Sequence, residues 1–128
     1  MKSKIVGQSV QRLEDLPLVT GRGQFAADVN FTSQLHMRVV RSGHAHGEIV
    51  SIDVSHAQSA KGVVAVWTAA NVAGLRPIAL REGPDPKIDP YLQPVLARSR
   101  VRYVGEPIAV VFAEDPYLAE DAADLVSV

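Results

Sequence analysis

Arg102-Tyr103-Val104-Gly105-Glu106-Pro107-Ile108-Ala109-Val110-Val111-Phe112-Ala113-Glu114-Asp115-Pro116-Tyr117-Leu118-Ala119-Glu120-Asp121-Ala122-Ala123-Asp124-Leu125-Val126 reads as a strand, a tight turn, an apolar strand and a capped helix. Ile108 to Ala113 is an unbroken apolar run containing β-branched residues, the pattern of a strand buried on both faces. Asp115 predicts a helix N-cap, because its carboxylate can accept the orphan amides of the first turn. Pro116 suits the first helical position, where its missing N–H has no partner to lose. Leu118, Ala122 and Leu125 recur at helical spacing beside Ala119, Ala123 and Val126, with Glu120, Asp121 and Asp124 on the opposite side. Gly105 permits a sharp bend, and Pro107 keeps Glu106 out of the helical region.

Upstream, residues 1–24 mix glycines, charges and a proline without a sustained period, and read as an irregular arm before a single domain at 25–128. Leu35, Met37 and Val39 alternate with His36, Arg38 and Val40, predicting a strand whose apolar face is the first set. Gly43 to Gly47 is a turn, and Ile49 to Val54 a second strand. Asp53 or Ser55 can cap a short helix through Ala60, ended by Gly62. Val63 to Trp67 is a third strand, expected to be central, with Trp67 as a core anchor. Thr68 can cap a further helical turn ending near Gly74. Residues 75–99 hold Pro77, Pro84, Pro86, Pro90 and Pro94, which prevent regular helix and weaken any strand. This segment reads either as an exposed, variable insertion or as an arm lying on another domain or subunit; Ile78, Leu80, Ile88, Tyr91, Leu92, Val95 and Leu96 give it more apolar surface than a solvated loop needs. Val126-Ser127-Val128 reads as the start of a strand with an unpaired edge. Strands and helices mix without βαβ alternation, so the fold class is α+β.

With 128 residues the chain suffices for one core. Thirteen Lys and Arg against fourteen Asp and Glu leave no basic excess for a nucleic acid or an anionic membrane. The absence of cysteine excludes disulfides, thiolate nucleophiles and Cys-held zinc or iron–sulfur clusters within these residues. Met-Lys-Ser-Lys-Ile-Val-Gly-Gln has no apolar h-region and no twin arginine, so the expected location is the cytoplasm. Asn30-Phe31-Thr32 matches a glycosylation sequon that this location leaves unused.

Four patterns invite a chemical reading. His44 and His46 share a face if extended and could chelate a metal with His36, His56 or Glu48; on a turn they bond backbone instead. Gly21-x-Gly23-x-x-Ala26 fits a dinucleotide fingerprint by letter, but lacks the strand before and helix after it that aim amides at a pyrophosphate. Glu106 has turn chemistry rather than the partnered setting of a general acid. Glu14 and Asp15 are adjacent and diverge, to be solvated or paired with Arg12 or Arg22. No catalytic or cofactor-binding residue is assigned; Arg102, Tyr103, Gly105 and Glu106 are candidate interface residues.

Val-Arg-Tyr-Val-Gly-Glu-Pro-Ile-Ala-Val-Val with its alanine-rich Glu-Asp-Ala-Ala-Asp helix resembles the amino-terminal a/b hammerhead domain of molybdenum hydroxylase large subunits, most like the carbon monoxide dehydrogenase branch. Arg12-Leu13-Glu14-Asp15 with Leu18 to Phe25 resembles the family's opening arm, Val40 to Ile49 its first hairpin, and Gly62 to Ala69 its central strand. Gly43 departs from the proline usual before the His-Ala-His. The resemblance implies the a/b hammerhead fold and a non-catalytic structural role in an oxidoreductase. That enzyme would hydroxylate an aldehyde, N-heterocycle or similar carbon, or oxidise carbon monoxide. It implies molybdopterin cytosine dinucleotide with molybdenum, [2Fe-2S] clusters and FAD on other domains or subunits. The family's histidines at the His-Ala-His are not molybdenum ligands, and its catalytic glutamate lies downstream of these residues. The molybdopterin-binding domains are absent here, so the isolated chain is expected to be inactive and to form a two-fold dimer. The alternatives are a free-standing protein-interaction module without redox role, and a small His-based metal-binding protein.

Limited proteolysis should cut first within residues 75–99, on the proline and loop-length argument. Early cleavage inside 100–125 would place the core elsewhere.

Overall fold

The structure, a computed structural model, describes residues 5–79, 83 and 85–128. Residues 1–4 of the arm, and Leu80 and Pro84 of the proline-rich segment, lie outside the described residues. The chain divides into two compact units between Thr32 and Ser33, later than the boundary drawn after residue 24.

In the first unit every described residue is exposed or half-buried. It is not wholly irregular: α1 spans Asp15–Val19. Pro17 is admitted because the first-turn amides have no intrahelical partner. Arg12 Nε donates to Asp15 Oδ1 at 3.0 Å, and Thr20 Oγ1 closes the helix end on Leu16 O at 2.7 Å. Gly21, at φ +68°, leads the chain away. The Gly21-x-Gly23-x-x-Ala26 pattern therefore follows a helix and enters only the short 3-10 turn Ala26–Asp28.

The second unit is built on a three-stranded antiparallel sheet of order β1-β5-β3, where β1 is His36–Arg41, β3 Val63–Thr68 and β5 Pro107–Ala113. A two-stranded ribbon pairs β2, Gly47–Glu48, with β4, Arg100–Val101. Two helices complete it: α2, Ser55–Ser59, and α3, Pro116–Asp124. Ala57, Val66, Val111 and Ala122 form the main core, joining the sheet to both helices, with Val40, Val54, Val63 and Val126 packed around them. Ala97, Val101 and Ile108 form a second cluster with Ile49 and Ile52.

The capping expectation holds: Asp115 Oδ1 accepts the amides of Tyr117 at 2.8 Å and Leu118 at 3.4 Å, with Pro116 at the helix start. Ala119 and Ala122 are the residues α3 buries, and Glu120 reaches Arg38 Nη2 at 2.7 Å. Gly62 sits at φ +77°, and a Cβ there would stand 2.5 Å from Leu118 Cδ1, so glycine is required.

Several expectations are corrected. The central strand is β5, because its uncharged backbone is paired on both sides; β3 lies at the edge. The face of β1 that packs on α3 carries Arg38 and Val40, while Met37 on the other face is 60% exposed. Alternation located the strand but not the direction of its core, because Arg38 is accommodated by Glu120. The strand expected at Ile49 to Val54 is only a single bridge of Asp53 with Ser127, and the short β2 falls just before it, at Gly47–Glu48. That bridge, with bonds of 2.8 and 3.0 Å, also means that the run at Val126–Val128 is not an unpaired edge. The segment after Thr68 forms hydrogen-bonded turns, with Asn71 Oδ1 accepting the Thr68 amide at 2.8 Å, rather than a helix. In the proline-rich segment Asp89–Tyr91 is a 3-10 turn, and Leu96 and Ala97 are buried.

Trp67 is not a core anchor: it is 45% exposed and meets Phe112 edge to face, ring centroids 4.8 Å apart. Trp67→Ala should therefore cost only about 1–2 kcal/mol, the pair term plus half a side chain's burial. Asp115→Ala should cost about 1 kcal/mol through the lost cap. Chemical denaturation of both variants checks the ranking, which a buried tryptophan would spread far wider.

Candidate functional site: the Arg102–Glu106 loop and the open sheet face

The loop between β4 and β5 is organised by one carboxylate. Glu106 is 1% exposed and among the largest fully buried side chains of the described residues. It bonds the Arg102 backbone amide through Oε2 and the Arg102 guanidinium through Oε1 at 3.2 Å. The main chain beside it is tied to the turn after β1: Ser42 N donates to Glu106 O at 2.9 Å, and Gly105 N to Ser42 O at 2.8 Å. Arg41 Nη1 donates to Gly105 O at 2.9 Å. Gly105 stands at φ +90°, which a side chain would strain. Every polar atom of Glu106 is thus engaged in holding the loop, and its interface candidacy passes to the residues it holds.

Those residues are outward. Tyr103 is 41% and Val104 64% exposed. The Tyr103 hydroxyl is bonded by Gln93 Nε2, coupling the loop to the proline-rich segment. Ser42 and Gln93 were not singled out in the sequence; Ser42's partners Gly105 and Glu106 lie far along the chain, and Gln93's side-chain partner lies ten positions on. Arg98, Arg100 and Arg102 are all exposed, with Ala97 buried before the first and Val101 buried between the last two, while Ser99 is exposed. Arg100 faces Glu48 at 3.6 Å, a loose pair in which Glu48 is 79% exposed. The alternation Arg98-x-Arg100-x-Arg102 was readable but was not used.

A second surface lies on the sheet. Register places Met37, Phe112 and Ala65 in one row and Val39, Val110 and Trp67 in the next. All six are exposed or half-buried, on the side away from the core formed by Val66, Val111 and Ala122.

His44 and His46 fall on the bend between β1 and β2. The His44 amide donates to Ser42 Oγ at 3.0 Å, and Ser42 Oγ donates to His44 O at 2.9 Å. Among the described residues no group of three or more His, Asp or Glu side chains converges to hold a metal, so His36, His56 and Glu48 are not gathered about this pair. A groove of about 580 Å³ runs beside the bend, lined by Arg41, His44, Glu48, Ile49 and Val128 among others. Asp53 is held below the usual carboxylate range, first by the Ser55 amide, then by the Ser55 side chain and the nearby His56. Its contribution to stability is present above the ordinary carboxylate pKa and is lost as pH falls through the lowered one. No described helix is long and apolar enough to cross a membrane.

Arg102→Ala should destabilise the fold by about 3 kcal/mol, because it leaves a buried carboxylate with a single backbone donor. Glu106→Gln, which keeps an acceptor, should cost less. Equal midpoints in urea would show that the ion pair is not what holds the loop.

The comparisons with known proteins agree. Residues 20–128 match the family model described as aldehyde oxidase and xanthine dehydrogenase, a/b hammerhead domain. The 6-hydroxypseudooxynicotine dehydrogenase complex subunit gamma of Paenarthrobacter nicotinovorans is 46% identical over 127 residues, covering 96% of this chain and 16% of that one. The carbon monoxide dehydrogenase large chain of Afipia carboxidovorans is 40% identical over 123 residues, covering 96% and 15%. Among solved structures, quinoline 2-oxidoreductase from Pseudomonas putida 86 superposes with a TM-score of 0.79 at 43% identity, over 98% of this chain and 16% of that chain. The chain therefore spans about one sixth of the length of the relatives it matches. It belongs to the aldehyde oxidase and xanthine dehydrogenase family of molybdenum hydroxylases, as an a/b hammerhead domain.

Proposed function

We propose that this chain is a non-catalytic structural and assembly domain of a molybdenum hydroxylase large subunit of the carbon monoxide dehydrogenase, aldehyde oxidase and xanthine dehydrogenase type. The observation that carries this reading is the open apolar face of the sheet, where Met37 is 60% and Trp67 45% exposed beside Phe112. An apolar face of this kind marks a surface built for a neighbour. The neighbour in this reading is the molybdopterin-binding part of the large subunit; this chain covers only 16% and 15% of two of its relatives, which leaves most of their length outside the matched segment. The loop held by Glu106 supplies a second contact, through Arg102, Tyr103 and Gly105, to an iron–sulfur or FAD subunit.

In this reading the parent enzyme is a cytoplasmic oxidoreductase carrying molybdopterin cytosine dinucleotide with molybdenum, [2Fe-2S] clusters and FAD, all outside these residues. The chain's own residues contribute rigidity and position. In the isolated chain the same apolar face is free to associate with a second copy, giving a two-fold dimer.

The test is a chimera in which this chain replaces the matching segment of the large chain of quinoline 2-oxidoreductase. It should assemble with the partner subunits and retain molybdenum. The same chimera bearing Met37→Glu and Phe112→Glu should lose both, as charges would then be buried against the neighbour. A chimera that fails without those changes overturns the assembly reading. One that tolerates them shows that the sheet face is not the contact.

A further inference from the structure

Resting on the assembly reading above, we propose that Arg98, Arg100 and Arg102 form a docking strip for an acidic surface segment of a partner protein. All three arginines are exposed: Arg100 opens β4 and Arg102 follows it with Val101 between them buried at 5% exposure, and Arg98 lies just upstream between buried Ala97 and exposed Ser99. The strip is local, since the whole chain has a net charge of −1. It is fixed rather than floppy at one end. The Glu106 carboxylate holds the Arg102 backbone and guanidinium, and Ile49 N bonds Ser99 O at 2.9 Å to hold the middle of the segment against β2. Two of its three charges are also available, the Arg102 guanidinium being paired with Glu106. Arg98 has no ion-pair partner among the described residues, and the Arg100–Glu48 pair is open at 3.6 Å with both side chains in solvent. An exposed pair of that kind holds its arginine weakly, so a carboxylate on a docking partner can take it over.

Arginine is the cation suited to this task, because its planar fork binds carboxylates bidentately. Tyr103 and Val104, 41% and 64% exposed, continue the strip with apolar surface and make it the edge of an interface rather than a solvated row. A partner segment that fits carries two or three carboxylates at extended spacing followed by an apolar side chain. Its association is steered by charge and weakens with salt.

The probe is a twelve-residue oligoglutamate peptide titrated into the full chain at low and at high salt, with an oligonucleotide of equal charge as the rival ligand. The peptide should bind saturably at low salt, and binding should fade at high salt. Arg98→Ser with Arg100→Ser should weaken it by at least about fivefold, the combined effect of two exposed pairs. Arg12→Ser with Arg22→Ser, which removes equal charge elsewhere, should leave it within about twofold. Arg98→Glu alone, at an unpaired exposed position, gives the same answer if the double variant does not fold. No binding at low salt, equal loss in both double variants, or no loss in either overturns the strip. Tighter binding of the oligonucleotide through the same arginines overturns the choice of an acidic protein. Failure of the chimera leaves these outcomes readable, since they need only the isolated chain.

Discussion

Everything in the second unit is arranged around the need to pair β5 on both sides. Its seven residues carry no charge, so the strand gains nothing from an edge position, and its backbone donors and acceptors cannot be left dry and unpaired. β1 and β3 meet that need from either side, both antiparallel, and α3 folds back over one face within two residues of the strand's end. Ala109, Val111 and Ala113 have no exposed surface as a result. The small side chains matter here. Alanine at 109, 113, 119 and 122 lets helix and sheet approach closely, and Gly62 admits Leu118 where any Cβ would collide.

The same strand explains why the two faces of the sheet differ. Alternation puts Val110 and Phe112 on the side that neither helix covers. Their neighbours Met37 and Trp67 are large and apolar, so this face has the composition of a core and the exposure of a surface. A domain of this size could have covered the face with its own chain. Within the second unit, the proline-rich segment adds Leu96 and Ala97 to the buried residues. The composition and exposure of the open face are what the assembly proposal rests on.

How much of this was legible in the sequence follows from the range of the interactions involved. The β5–α3 unit, the Asp115 cap and the Pro116 start were readable because each depends on residues a few positions apart. The family resemblance was readable for the same reason, since its motifs are local. What could not be read was set by partners distant in sequence. The buried face of β1 follows from Arg38 meeting Glu120, 82 positions away. The edge position of β3 follows from β5 being shared by two strands, and apolar character alone does not say which strand is in the middle. Trp67 was misplaced because a large apolar residue on an apolar strand reads equally as core or as interface; the choice depends on which face α3 covers. At the candidate site, Gly105 and Glu106 were recognised as turn chemistry, but the main chain there is tied to Ser42, 64 positions before Glu106 in sequence and beside it at the same end of the sheet.

Glu106 shows why a buried charge can be structural without being catalytic. A carboxylate at 1% exposure is costly unless its oxygens are satisfied. Here both are, by one residue four positions earlier, through its amide and its guanidinium. Each oxygen accepts one hydrogen bond from Arg102, and at 1% exposure neither is presented at the surface. An apolar side chain of the same size would fill the space but would leave the Arg102 amide unsatisfied and the loop without a fixed path. The carboxylate is therefore exchanged for geometry. It defines where Arg102, Tyr103 and Val104 stand in relation to the β1 turn, with Gly105 turning at φ +90° to make that path possible. A loop fixed in this way would lose little conformational entropy if it docked against a neighbour, which is why the proposed contact is placed on it.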